Sequence, residues 1–97
     1  MSLFFFRLTP PRADFAQTMT PEEQQAMAAH QDYWQQLLAD GRVAVYGPVA
    51  DPEGVWGLGV LRAADRAEVL VIGENDPSIT AGINTFDVFE ILDGTTG

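Results

Sequence analysis

The chain has no cysteine, no lysine and a single histidine, His30, in its 97 residues. Without cysteine there is no disulfide framework, no thiolate metal site and no thiol nucleophile. Without lysine there is no amine for Schiff-base chemistry. Both absences concentrate acid–base chemistry on His30, because histidine is the only side chain whose ordinary pKa lies near neutrality. Positive charge is also scarce. Five scattered arginines (Arg7, Arg12, Arg42, Arg62, Arg66) stand against 14 acidic residues, for a net charge of -9. That balance repels phosphate backbones and anionic lipid heads, so neither nucleic acid nor a membrane surface is expected as a partner.

Metal and phosphate chemistry lack their spacings. One histidine with no His-x-x-His or His-x-x-x-His partner argues against a metal site, and the many carboxylates read as solvated surface. Gly57 and Gly59 lack the third glycine and following helix of a phosphate loop. No cofactor or metal is expected. The N-terminal Leu3-Phe4-Phe5-Phe6 run is too short for a signal-peptide core, has no basic residue before it and meets Arg7 at once. It reads as a strand of a cytoplasmic protein.

Ninety-seven residues fit one small domain with a modest core, taken as residues 4–91 with a flexible tail at 92–97, and oligomerisation is expected. Leu3 to Leu8 is the first strand, closed by Thr9-Pro10-Pro11. Pro10 to Met19 has no period and reads as a loop placed to act as a lid. Thr20-Pro21-Glu22-Glu23 opens a helix: threonine caps, proline suits the first helical position and Glu23 completes a capping box. Gly41 suits the left-handed residue past its end, so the helix runs from Pro21 to Ala39. At about 100° per residue, Met27, His30, Trp34, Leu37 and Leu38 share one side. His30 therefore points inward or toward a cleft.

Arg42 to Val49 and Gly54 to Arg62 form a hairpin around Asp51-Pro52-Glu53-Gly54, which carries the residues of a type I turn. Pro48 cannot donate to a ladder, which makes the first of these an edge strand. In the second, Gly57 and Gly59 leave room for close helix packing, the commoner reason, or for a small ligand. Asp65-Arg66-Ala67-Glu68 repeats the capping-box spacing, so the β-branched Val69 to Ile72 is read as helix. Asn75-Asp76-Pro77-Ser78 is a turn or helix entry. Asn84 to Leu92 alternates as a last strand, with Phe86 and Val88 on one face and Phe89 and Ile91 on the other.

The order strand, helix, strand, strand, helix, strand is that of an α+β, ferredoxin-like βαββαβ unit, an antiparallel sheet with both helices on one face. Several strands are apolar on both faces, so a second subunit is expected to cover the bare side.

These residues resemble the YCII-related (YciI-like) family, including its DGPF branch, of the dimeric α+β barrel superfamily. The resemblance rests on Met19-Thr20-Pro21-Glu22-Glu23, His30 with Tyr33-Trp34, Gly41-Arg42-Val43 and Gly47-Pro48-Val49. It continues through Asp51-Pro52-Glu53-Gly54, Trp56-Gly57-Leu58-Gly59, and Asn75-Asp76-Pro77 with Ala81-Gly82. It implies a homodimer packed sheet against sheet, with a histidine–aspartate pair as catalytic candidates, here His30 and Asp76. The β-branched second helix and Glu74-Asn75 before Asp76 depart from the pattern.

If Asp76 accepts a hydrogen bond from one ring nitrogen of His30, it sets the tautomer and leaves the other nitrogen for a substrate proton. Trp34, one turn after His30, is expected to line the pocket, Ser78 to donate to the substrate, and Gly47 and Pro48 to touch it. The expected ligand is a small cyclic or aromatic molecule, and isomerisation, lyase chemistry or hydrolysis all fit. The alternative is a non-catalytic binding or interaction module in which the pair is structural, since structural pairs also perturb pKa values.

Overall fold

A computed structural model describes residues 1–93 of the chain; of the tail expected at 92–97, residues 94–97 lie outside the described residues. The strands β1 (Ser2–Thr9), β2 (Val43–Val49), β3 (Trp56–Ala63) and β4 (Thr85–Ile91) form one antiparallel sheet in the order β2-β3-β1-β4. Four helices connect them: α1 (Phe15–Thr18), α2 (Pro21–Ala39), α3 (Arg66–Glu74) and α4 (Pro77–Thr80). This is the ferredoxin-like βαββαβ unit, and β2 is an edge strand as Pro48 requires.

Local chemistry sets the helix ends. Thr20 Oγ1 accepts from the Glu23 N–H at 3.2 Å and Glu23 returns a bond to the Thr20 N–H at 2.9 Å, a reciprocal capping box at the start of α2. At its other end Gly41 adopts φ +78°. The Arg42 N–H reaches Leu37 O (3.0 Å) and the Gly41 N–H reaches Leu38 O (3.1 Å), the paired bonds of a Schellman motif. Asp65 caps α3 through the Glu68 N–H at 3.0 Å.

Two expectations need correction. The segment Pro10 to Met19 is not all loop: Phe15–Thr18 makes a helical turn, and Phe15 is buried. Leu38 does not face the core but is 45% exposed, while Tyr33 packs inward. The buried side of α2 is centred between Trp34 and Leu37, which puts Leu38 about a quarter turn away from it.

The core lies between the sheet and the helices, with Phe4, Phe6 and Leu8 of β1, Leu61 of β3 and Val88 of β4 meeting Trp34, Leu37, Val69 and Ile72. Val43 and Tyr46 both turn to this side although they are three residues apart, which a regular strand forbids. A register shift between Val43 and Val45 against β3 resolves the conflict. On the opposite face Phe5 lies 6.2 Å from the rings of both Trp56 and Phe89. Phe89 is 55% exposed there and Val45 50%.

Two glycines seat aromatic rings. A Cβ at Gly59 would lie 2.7 Å from the Trp34 ring, and one at Gly73 would lie 2.5 Å from the Phe86 ring. Close packing is therefore what Gly59 provides, and Trp34 sits over it beside Phe6 and Tyr46, at ring distances of 4.9 and 5.9 Å.

Candidate active site

The seat over Gly59 directs the Trp34 indole toward Asp76. Asp76 is the N-cap of α4, fully buried, and its carboxylate is held by four donors. Oδ1 accepts from the backbone N–H and the hydroxyl of Ser78, both at 2.8 Å. Oδ2 accepts from Trp34 Nε1 and from His30 Nδ1, both at 2.7 Å. Burial pushes this carboxyl up, but the hydrogen bond and charge of His30, then the bonds from Trp34 and Ser78, outweigh it and hold it below its usual 3.8. Ionised, it is an acceptor only, so the shared proton belongs to Nδ1, and whenever the ring is neutral its lone pair lies on Nε2.

Nε2 makes no hydrogen bond among the described residues, and His30 lines a pocket of about 320 Å³. That volume falls in the range of small-molecule sites. Its walls are mostly apolar: Phe6 and Leu8 from the sheet, Phe15 and Met19 from the covering segment, and Trp34 from α2. Gly47 and Pro48 line it from the edge strand and Gly57 from β3, where a Cβ on Gly57 would lie 3.0 Å from the Leu8 side chain. The polar groups on its surface are His30, Gln31, Tyr46 and Asn84, with no arginine among the lining residues. Gln31 Nε2 donates to Tyr46 Oη at 3.1 Å. Nearby, Tyr33 donates to Ile72 O at 2.8 Å; burial first, then the charge of Asp76, pushes its phenol up. Among the described residues, no three His, Asp or Glu side chains gather to hold a metal ion.

The structure thus brings together His30, Asp76 and Trp34, and sets Gly47 and Pro48 in the pocket wall. Ser78 is a correction: it is fully buried, outside the pocket lining, and its hydroxyl donates to Asp76. Asx-type capping turned it inward, so it orients the carboxylate rather than meeting a ligand. Sequence reasoning missed Gln31, Tyr46 and Asn84. Tyr46 was hidden by the bulge, and nothing local distinguishes Asn84 from an ordinary residue at a strand's start.

The covering segment is fastened through Arg12. Its guanidinium bonds both oxygens of Glu23 at 2.7 and 3.0 Å and reaches Thr18 Oγ1 (2.8 Å) and O (2.7 Å). The Arg12 bond, followed by the Thr20 backbone N–H, lowers the Glu23 carboxyl from 4.5 to about 2. A lowered folded-state pKa gives stabilisation that is complete above the unfolded value and lost on acidification. The stability difference between the wild type and Glu23→Gln should therefore be constant above about pH 4.5 and vanish as the pH falls to about 2. Denaturant melts of both proteins between pH 2 and 7 measure it, and a gap that persists at pH 2 would rule out the ion pair as its source.

The sequence model of the YCII-related domain matches residues 3–92. The chain belongs to the YCII-related family. No curated protein matches it. Among solved structures, it is similar to 5-chloro-2-hydroxyhydroquinone dehydrochlorinase from Burkholderia phenoliruptrix AC1100, in complex with 2,5-dihydroxybenzoquinone, at 22% identity. The likeness covers 95% of each chain with a TM-score of 0.70, and at that identity it shows a shared fold. No helix among the described residues is long and apolar enough to cross a membrane.

Proposed function

We propose that this chain is a cofactor-free acid–base enzyme acting on a small, uncharged ring compound, with His30 as general base and Asp76 as its positioning residue. One observation carries the reading: Nδ1 is committed to a buried carboxylate while Nε2, without a protein partner, belongs to a residue of the pocket wall. A purely structural pair needs no such opening, which favours catalysis over a sealed lock. Absence of arginine from the lining, the nearby Asp76 charge and the net charge of -9 all disfavour an anionic ligand.

In the reaction, Nε2 takes a proton from a ring hydroxyl or an activated C–H and becomes N–H, while Asp76 stabilises the resulting imidazolium. The electron pair left on the substrate shifts a double bond or expels a leaving group as an anion, and Nε2–H returns the proton in an isomerisation. Elimination and isomerisation use the same first step; hydrolysis would use it on water. The fold neighbour's ligand, a dihydroxybenzoquinone, is a single six-membered ring, a size that a pocket of about 320 Å³ would take.

The test follows the His30 ring nitrogens by NMR while phenols, quinones and lactones are added. Nε2 should shift with at least one ring compound while Nδ1 keeps the signature of its carboxylate bond. Ring nitrogens that ignore the whole panel would sink the proposal.

The bare sheet face, with Phe5, Trp56 and Phe89 together and Phe89 and Val45 half exposed, is read as the seat of a second copy. Such a homodimer, expected in the cytoplasm, joins the two sheets into a barrel around one apolar layer. Sedimentation at micromolar concentration should return twice the 10.6 kDa chain mass, and a well-folded monomer would refute it.

A further inference from the structure

Asp76 has more partners than orienting a histidine requires. A carboxylate offers about four lone-pair sites, two on each oxygen. All are taken: Oδ1 by the N–H and hydroxyl of Ser78, Oδ2 by His30 Nδ1 and Trp34 Nε1, the last two at 2.7 Å each. No site is left for water or a ligand group, so this buried charge acts only through its donors.

One of those donors is an indole that needs a special seat. Trp34 reaches Asp76 because Gly59 of β3 has no side chain; a Cβ there would lie 2.7 Å from the ring. Phenylalanine or leucine would fill the core without an N–H, and an indole N–H that merely needs an acceptor is satisfied by a backbone carbonyl. Here it goes to the very oxygen that His30 uses. The two donors stand four residues apart on one face of α2, so a single oxygen ties one turn of that helix to the start of α4.

Sharing matters for the charge of the ring. A buried carboxylate whose sole partner is a histidine favours the imidazolium, and an imidazolium has no lone pair with which to take a proton. A second N–H on the same oxygen satisfies part of its charge, so Oδ2 can bond Nδ1–H without requiring a cationic ring. Other groups able to set that charge are few. Tyr46 of β2 shares the pocket wall, Tyr33 of α2 donates its hydroxyl to Ile72 O, and the pocket lining holds no arginine and no carboxylate.

We infer that Trp34 is a positioning residue of the acid–base site: its indole N–H shares Asp76 Oδ2 with His30 Nδ1, holding the carboxylate in place and diluting its charge, so that the imidazole meets a substrate neutral and able to accept a proton. This rests on the acid–base reading above and names the group that keeps His30 a base.

The experiment replaces Trp34 in the full chain with benzothienylalanine, in which sulfur stands for the indole N–H at nearly the same shape. Proton and nitrogen NMR then follow the single histidine from about pH 5 to 9, across the range in which an imidazole titrates. The Nδ1 proton should move downfield as its bond to Oδ2 tightens. The pH at which the ring is half protonated should rise by roughly half a pH unit or more, a fraction of the about one to three that an adjacent opposite charge can impose. Trp34→Phe should give the same two shifts where it folds. Tyr33→Phe is the control: it cuts a neighbouring bond of α2, to Ile72 O, without touching Asp76, and should move neither. A folded benzothienyl protein with the wild-type proton shift and titration would overturn the role of Trp34 and leave the acid–base reading standing. A wild-type ring that keeps both protons up to about pH 8 would overturn the two together.

Discussion

Asp76→Ala is expected to be the most destabilising single substitution at the site. It removes the acceptor for four donors at once: His30 Nδ1, Trp34 Nε1, and the N–H and hydroxyl of Ser78, in a place with no solvent exposure. Breaking a buried, paired charge by deleting one partner costs about 3–5 kcal/mol. In a domain of this size that is a fall in Tm of roughly 15 °C or more, readable by calorimetry. The effect should depend on pH with a definite sign. Because the folded carboxyl lies below its usual 3.8, its contribution is full above that value and drains away as the pH falls below it. Wild type and Asp76→Ala should therefore converge in acid, and an equal gap at every pH would mean that packing, not charge, was lost.

His30→Gln should give the opposite profile, with the fold kept and the chemistry gone. The glutamine amide can donate to Asp76 in place of Nδ1, so the melting temperature should stay close to that of the wild type. Without the imidazole as base, proton transfer should fall by about 10²–10⁴-fold, the usual worth of a positioned general base. The loss is measured as exchange of the activated proton, or as turnover, on any ring compound that shifts the Nε2 resonance. Asp76→Asn supplies the contrast. Its amide presents both an acceptor and a donor, so His30 can carry its proton on Nε2 instead, and nitrogen NMR of the ring should show that tautomer together with lost activity. A His30→Gln protein that unfolds, or that transfers protons at the wild-type rate, would favour the structural reading of the pair.

Much of this architecture could be read before any coordinates, and for a common reason. The capping box at Thr20 and Glu23, the left-handed Gly41, the turn at Asp51 to Gly54 and the entry at Asp65 each depend on residues within four or five positions of one another. Proline at position 48 announced an edge strand because a missing N–H is a property of one residue. The β-branched stretch Val69 to Ile72 was the hard local case, since its length and composition suit a strand. A cap at Asp65 and burial of Val69 and Ile72 against the sheet resolve it in favour of helix. Helical spacing alone puts Leu38 on the wrong side, because it gives relative angles, whereas the sheet decides which angle is the centre.

The site divides along the same line. His30 stood out by elimination, and its inward direction by periodicity, but its link to Asp76 came from family resemblance and not from spacing. The two residues are 46 positions apart, and the Trp34 bond to the same oxygen spans 42. A hydroxyl beside a candidate carboxylate can serve either the ligand or the carboxylate; only burial and its bond to Asp76 show that Ser78 serves the carboxylate.

Composition and short-range pattern alone determined the order of the four strands and the two long helices, the helix caps, the absence of thiol and lysine-amine chemistry, and the one side chain whose ordinary pKa lies near neutrality. These follow from covalent structure, from backbone hydrogen bonds a turn apart, and from counted residues. Tertiary structure decided the rest: the bulge that turns Tyr46 inward, the glycine seats under Trp34 and Phe86, and the four donors on Asp76. Each of those is a contact between distant parts of the chain. Its energy depends on shape and desolvation once the sheet and helices have closed, and no window along the sequence contains both partners.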